Sequence, residues 1–448
     1  MKKSKGDIPI YIIDLSKPPS ERYVEVATDY RQELRELTTI FDELVTVLLP
    51  FIPLIIVRFF AKLLLRRLHS KEETEEIRGI CNFAGISMYL AVALNVLLDS
   101  LMGCTSGVCQ VTDEQKTHSM IHFRTLDWGM DPLRKVVVEL HFVQHKGGPV
   151  VARSITYVGF VGVLTGVREG LSMSLNFRPY HNRPEGWKSD FRYKTHQLLT
   201  MVGFRKPIAS ILRELLLEDS TEEASTPNTS IADPASHPQR RSVRLAAKSH
   251  PSSPSSAPTL SHIRRTVPRM LSTACYLTFA SATAGLILEK DLCTARSRLD
   301  ENFLAICNHD ATIQLDPADP ENPEHRGLPT GAAEDTAGFS ELILSSDDRL
   351  DMVTEHWRRY VRDYGLVVDG NAADGVRSAG DTMDYVTAPP RWERVRWWLD
   401  EYPVTNEETH YSCLMDPAKG EFRWCTRYAR SATEAQLDRW RSAQYDGP

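Results

Sequence analysis

The chain has 448 residues, 42% of them hydrophobic, 25% charged and 8% aromatic. That is enough apolar material for a sizeable core, and it excludes a wholly disordered chain, a collagen-like repeat and a small disulfide scaffold. With 53 basic and 59 acidic residues the net charge is −6, so nothing global points to a nucleic-acid partner.

The start, Met1 to Asp7, is basic, but Ile8 to Leu15 is broken by Pro9 and Asp14. No apolar h-region follows, so no secretory signal peptide is expected here. Leu44 to Val57 is the most apolar run, fourteen residues without a charge. It contains Pro50 and Pro53, and a spanning helix wants about 20 mainly apolar residues, so it is not read as transmembrane. From Pro53 onward Arg58 and Lys62 emerge from an apolar helix. Such a helix either packs in the core with its cations snorkelling outward or lies on a lipid surface.

A second helix is expected over Glu72 to Ser100, with an acidic start suited to a helix N-terminus and an interruption at Gly85. Val136 to Val143 reads as a strand, Lys146-Gly147-Gly148 as a turn and Val150 to Val163 as further strand. This is an antiparallel hairpin region rather than a βαβ unit. Residues 219–262 hold eleven Ser, four Thr and six Pro, and are expected to form a disordered insertion. Residues 316–340 read as a second long loop, and Tyr276 to Leu288 as a strand. A helix over Arg391 to Glu401 and strands near Thr409 to Leu414 and Glu421 to Tyr428 complete the pattern. No internal repeat is found.

The eight cysteines, at 81, 104, 109, 275, 293, 307, 413 and 425, include no CxxC and are too sparse for a disulfide-dense fold. Chemistry concentrates in Gly103-Cys-Thr-Ser-Gly-Val-Cys-Gln110, followed by His122-Phe-Arg-Thr-Leu-Asp-Trp-Gly129. A lone cysteine between a helical stretch and a strand is ordinarily a small buried hydrophobe. Cys104, Cys109, His118 and His122 imitate a zinc finger, but eight residues separate Cys109 from His118 where that module has about twelve. No metal is assigned.

The ordered series of motifs resembles the acid ceramidase and N-acylethanolamine acid amidase family of N-terminal-nucleophile hydrolases. It runs through Ile8 to Leu15 with Pro18-Pro19 and Arg22-Tyr23, then Glu75-Glu-Ile-Arg-Gly79 and Cys104-Thr-Ser106. It continues through Arg124 to Gly129, Tyr157 to Gly166, Cys307-Asn-His-Asp310, Asp347-Asp-Arg349 and Tyr411 to Arg423. The resemblance implies an α+β, four-layer αββα fold, with a helical α-subunit, 1–103, and a β-subunit, 104–448. Self-cleavage between Gly103 and Cys104 would make these an α/β heterodimer.

The same resemblance implies the roles. Cys104 would be the nucleophile, and its freed α-amine, with an ordinary pKa of about 7.7–8.0, would serve as base. Asp127 would orient that amine, Arg124 would keep the thiolate region electropositive, Asn308 would donate to the oxyanion and Arg349 would anchor the group. No cofactor is implied. The substrate would be a lipid amide: ceramide, cleaved to sphingosine and fatty acid. The alternatives are an N-acylethanolamine or other N-acyl amide, or a catalytically silent lipid-binding relative. Peripheral membrane contact would run through the apolar helix near 44–65. A lysosome or vacuole would be the compartment by resemblance, although no signal peptide is visible. One departure stands out: the family reads Asn-Glu-Arg or Asp-Glu-Arg where this chain has Asn176-Phe177-Arg178.

Overall fold

The computed structural model describes residues 4–5, 8–37, 53–97, 103–112, 117–182, 186–217, 257–310, 337–364 and 390–431. Two sheets dominate it. Nine strands form the larger: β1 (Ser4–Lys5), β2 (Ile8–Asp14), β5 (Val137–Val143), β6 (Val150–Tyr157), β7 (Thr165–Arg168), β8 (Leu171–Phe177), β9 (Ser272–Ala280), β10 (Gly285–Leu292) and β11 (Thr294–Asp300), in that spatial order. Only β2 and β5 pair in parallel; the other neighbours are antiparallel. The smaller sheet is fully antiparallel, in the order β12 (Phe303–Ile306), β3 (Gly103–Thr112), β4 (His118–Asp127), β13 (Thr409–Asp416), β14 (Glu421–Arg427).

The helices are α1 (Val24–Asp29), α2 (Leu54–Leu64), α3 (Lys71–Ala84), α4 (Met88–Leu97), α5 (Trp187–Met201), α6 (Ile208–Leu217), α7 (Leu260–Thr266), α8 (Ala337–Tyr364) and α9 (Trp392–Asp400). Helices α5, α6 and α7 pack on the larger sheet and α8 and α9 on the smaller, while the two sheets face each other. The result is the four-layer αββα arrangement. Strands β5 and β10 are buried on both faces along most of their length, Glu139, Glu289 and Lys290 included, so alternation of apolar and polar residues would not identify them.

The expected elements appear with changed boundaries. The stretch 72–100 is two helices, split where Gly85 takes φ +73°. Ser70 caps α3, its Oγ accepting from the Glu73 amide, which is why the helix starts there. The strand expected to reach Val163 stops at Tyr157. A turn follows, pinned by the buried Asn95, which donates to Gly159 O and accepts from Val161 N, both at 2.8 Å. The single strand expected over 276–288 is a hairpin, β9–β10, because residues 281–284 turn.

The end of the expected insertion is ordered: residues 257–262 are described, and α7 begins at Leu260 with Thr259 accepting from the His262 amide. Residues 219–256 of that region, 316–336 of the second loop and 44–52 of the apolar run lie outside the described residues. The loop expected to 340 ends by 337, where the 28-residue α8 starts.

Two features join the segment before Cys104 to the rest. Strand β2 lies beside β5 inside the larger sheet. The buried Glu76 carboxylate is shared by Arg22, at 2.9 Å, and both Nη atoms of Arg213, at 2.5 and 2.7 Å, while Ser210 donates to Glu73 at 2.7 Å. Burial raises the Glu73 pKa against the opposing pull of Arg213 and the Ser210 hydrogen bond. A carboxyl raised in the folded state contributes its stability while protonated, below its unfolded value, and loses it as pH rises through its folded value. Wild type should therefore lose stability relative to Glu73→Gln between acidic and neutral pH, as read by urea midpoints. A difference that stays flat with pH would remove Glu73 as the cause.

Glycine 79 sits mid-helix in α3, where alanine is ordinarily favoured by about 1 kcal/mol. Here a Cβ would lie 2.1 Å from the Ser20 carbonyl oxygen, backbone that cannot step aside. Gly79→Ala should destabilise by about 1–3 kcal/mol instead, and a higher urea midpoint in the variant would contradict this packing.

Candidate active site

The site grows from the β3–β4 pairing. Its register sets Cys104 opposite Leu126, Ser106 opposite Arg124 and Gly103 opposite Asp127. Side chains alternate across a strand. Cys104, Ser106, Arg124 and His122 therefore point toward the larger sheet, while Thr105, Phe123 and Asp127 point toward α8 and α9. Gly107 shares that second face, where a Cβ would lie 2.3 Å from both the Phe123 ring and the Leu304 carbonyl oxygen.

On the inner face Cys104 is fully buried. Arg124 Nη2 lies 3.3 Å from its Sγ, and Arg124 Nη1 donates to Asn176 Oδ1 at 3.0 Å and to Ser106 Oγ at 3.3 Å. Burial pushes the Cys104 thiol pKa up; Arg124 and Arg349 oppose the rise and Asp127 adds to it. In the intact, closed chain the sulfur is accordingly held as thiol. His122 stands between Ser172 and Ser174, and burial, helped by Arg124, drops its pKa to about 3. It is a neutral strut and not a proton acceptor for Cys104.

On the other face Arg349 of α8 donates to Asp127 Oδ2 at 2.7 Å, with both side chains only 2% exposed. Thr409 holds the other oxygen of Asp127 at 2.7 Å. Burial raises the Asp127 pKa, and Arg349 is the largest opposing influence. The two faces meet at the backbone of Cys104. Its N–H donates to Asn308 Oδ1 at 2.8 Å, and Arg349 Nη2 donates to the same oxygen at 3.0 Å. Two donors on one atom fix which end of the amide is oxygen.

The five expected residues, Cys104, Arg124, Asp127, Asn308 and Arg349, thus lie together in the intact chain. Asn308, not Asp127, receives the Cys104 nitrogen, because the Asp127 carboxylate is taken up by Arg349 and Thr409. The Asn308 amide nitrogen donates to the Phe177 carbonyl at 2.8 Å. Nor do Arg124 and Asp127 pair with each other, since they lie on opposite faces of β4.

Further partners join them: Asn176, noted in the sequence beside Phe177, and Ser346 and Thr105, which sequence reasoning missed. Asn176 Nδ2 lies 3.4 Å from Cys104 O and 3.1 Å from Cys307 O, so the asparagine beside the departed glutamate belongs to the site. Ser346 receives the Asn308 amide at 2.6 Å and Thr105 lies 3.3 Å from Arg349. Their only sequence signal was adjacency to motif residues. The zinc-like quartet does not converge: Cys104 and Cys109 face opposite sides of β3, and His118 pairs with Thr112 at its far end. Among the described residues no group of three or more His, Cys, Asp or Glu could hold a metal ion.

Cys104 thus lies near the head of an inner strand, between two sheets that are themselves covered by helices, within an α+β, four-layer αββα arrangement. Residues 6–69 match the family model described as the beta subunit of N-acylethanolamine-hydrolyzing acid amidase, a match that falls ahead of Cys104. The chain is 29% identical over 223 residues to an N-acylethanolamine-hydrolyzing acid amidase of Caenorhabditis elegans, covering 47% of this chain and 57% of that one. It is 28% identical over 191 residues to the acid ceramidase of Mus musculus, covering 39% and 46%. The chain spans about half the length of these relatives. The solved structure of the Caenorhabditis elegans N-acylethanolamine-hydrolyzing acid amidase ortholog aligns with a TM-score of 0.39 at 17% identity, covering 75% of this chain and 97% of that one. The matched relatives are acid ceramidases and N-acylethanolamine-hydrolyzing acid amidases, and the chain is similar to both.

Proposed function

We propose that this chain hydrolyses lipid amides, R–CO–NH–R′, with Cys104 as a nucleophile exposed by its own cleavage of the Gly103–Cys104 bond. The observation that carries the reading is the setting of Cys104: Sγ beside Arg124 and backbone nitrogen on Asn308, at the start of a buried strand.

In the cleavage step Sγ attacks the Gly103 carbonyl carbon and the C–N bond breaks as the nitrogen is protonated. Water then hydrolyses the thioester to a Gly103 carboxylate and a free Cys104 amine and thiol. In turnover the amine takes the thiol proton, and the thiolate attacks the substrate carbonyl. The departing amine leaves protonated, and water releases the fatty acid. Asn308 Oδ1, which accepts from the Cys104 N–H in the intact chain, would keep orienting the nitrogen once it becomes an amine. Arg124 favours the thiolate, and the Arg349–Asp127 pair holds Asn308 and the strand end. Strand β2 and the Glu76–Arg213 pair would keep residues 1–103 attached to 104–448 after cleavage.

Within this class we favour ceramide, releasing sphingosine and a fatty acid, with an N-acylethanolamine as the alternative; the names of the matched relatives divide between the two. Helix α2 supports a substrate drawn from a lipid surface, since Ile55 and Phe59 are 77% and 65% exposed on the same helix as Arg58 and Lys62. No helix among the described residues is long and apolar enough to cross a membrane. Phe177, at the position of the family's carboxylate, favours a second reading as a silent lipid-binding relative. Intact-mass analysis at acidic pH, with turnover of ceramide and an N-acylethanolamine, separates them. Two chains, the larger beginning Cys-Thr-Ser-Gly-Val, and release of fatty acid are expected. A single chain that binds both lipids and cleaves neither would establish the second reading.

A further inference from the structure

Four side chains stand in one row across the inner face of the smaller sheet. The ladders set Ser106 opposite Arg124, Arg124 opposite Cys413, and Cys413 opposite Cys425. Directly opposed side chains share a face, so the two cysteines point where Arg124 does, toward the larger sheet. Both belong to the core between the sheets, Cys413 at 0% and Cys425 at 3% exposure, and both stand as thiols here. The mechanism proposed above uses neither.

The position of the pair along its ladder sets its geometry. Tyr428 N donates to His410 O at 2.9 Å, so those two residues form a hydrogen-bonded pair. Hydrogen-bonded and non-hydrogen-bonded pairs alternate along an antiparallel ladder. Ser412 and Thr426 are then hydrogen-bonded, and Cys413 and Cys425 occupy the non-hydrogen-bonded position after them. Opposed Cα atoms there lie about 4.5 Å apart, at the short end of the range of about 4.4–6.8 Å that a disulfide spans. A bond therefore fits without moving either strand, and its place near the limit keeps it easy to reduce. Strand β14 is an edge strand among the described residues, and a bulge between Leu414 and Met415 breaks the ladder just beyond the pair. Lifting β14 from β13 bares both sulfurs together. Burial pushes the Cys413 thiol pKa well up, with Cys425 adding to the rise and Arg124 opposing it, so exchange waits for that opening.

We propose that Cys413 and Cys425 form a reversible disulfide that fastens β14 to β13, closed by exchange with a small-molecule disulfide such as glutathione disulfide. One cysteine thiolate attacks a sulfur of glutathione disulfide, breaking its S–S bond and releasing one glutathione. The second cysteine, its proton lost to solvent, attacks the mixed disulfide and releases the other. Two protein thiols are oxidised and one glutathione disulfide is reduced to two thiols. The bond closes the short loop from 413 to 425 and acts chiefly by removing conformations from the unfolded chain. This inference stands apart from the amidase reading.

The test holds the purified full chain with glutathione disulfide in urea just below its unfolding midpoint, so that β14 opens, at a concentration that fully modifies the exposed Cys293. The chain is then returned to buffer, alkylated and digested with trypsin. Peptides 397–419 and 424–427 carry the two cysteines. They should be recovered joined, lighter by two hydrogen atoms than the reduced pair, and should separate after excess reduced glutathione. The oxidised chain should unfold at a higher urea midpoint than the reduced chain, and Cys425→Ala should show no such redox shift. Recovery of the two cysteines as separate thiols, as glutathione adducts or joined to a third cysteine overturns the inference. So does a joined pair that leaves the midpoint unchanged or lowers it, because the bond would then not fit the paired strands. A joined pair that survives excess reduced glutathione, or a midpoint shift kept in Cys425→Ala, overturns it as well.

Discussion

Cys104→Ala is expected to leave the protein as one chain of 448 residues, where wild type should give fragments of 103 and 345, and to reduce lipid-amide turnover to background. The substitution removes the sulfur that, in the proposed mechanism, attacks both the Gly103 carbonyl and the substrate. Loss of a nucleophile costs on the order of 10⁶ in turnover where it has been dissected in other hydrolases. The fold should survive, because alanine is smaller and the sulfur makes no ion pair: Arg124 Nη2 lies 3.3 Å from it and the Leu175 carbonyl 4.0 Å. Intact mass and a ceramide assay read the two effects separately. A Cys104→Ala chain that still cleaved at 103–104 would assign the attack to another group.

Arg349→Met should have the largest effect on stability. It strips one partner from a pair buried on both sides and leaves the Asp127 carboxylate in a dry setting with Thr409 at Oδ1. Breaking a buried pair from one side costs about 3–5 kcal/mol. The sign with pH is definite. Without the guanidinium the folded Asp127 pKa rises further above its unfolded value, so the penalty shrinks once pH falls low enough to protonate it. Urea melts at acidic and neutral pH should show that narrowing. The double variant Arg349→Met/Asp127→Leu should lose less than the two single losses combined, because no unpaired charge is left. Additive losses would mean that the pair is not coupled as its geometry indicates. Asn308 loses a donor in the same variant, so slower chain cleavage should accompany the stability loss.

Much of this was legible in the chain. The order of short motifs around Cys104, Arg124, Asp127, Asn308 and Arg349 named all five residues that the structure brings together. The end of α3 could be read from Gly85, and its start from Ser70 and the acidic first turn, because capping is local chemistry. Helix α8 escaped notice because the Pro- and acid-rich run before it was read onward as loop to 340. Yet Leu350, Val353, Trp357 and Tyr360 recur at helical spacing beyond it. The β9–β10 hairpin escaped because Ser281 to Ala284 carries neither Gly nor Pro, so the turn left no local mark.

By itself the sequence determined which residue types were available to the chemistry, where local caps begin and end helices, and that Cys104 begins a strand. Tertiary structure alone decided who holds whom. Residues three apart on one strand fall on opposite faces, so Arg124 went to the sulfur and Asp127 to Arg349, a partner 222 positions away. The oxygen that takes the Cys104 nitrogen comes from Asn308, 204 positions on, because β12 pairs with β3 and delivers it to the strand end. Contacts of that separation are fixed by sheet register and layer packing, which are properties of the whole core and not of any window of the chain.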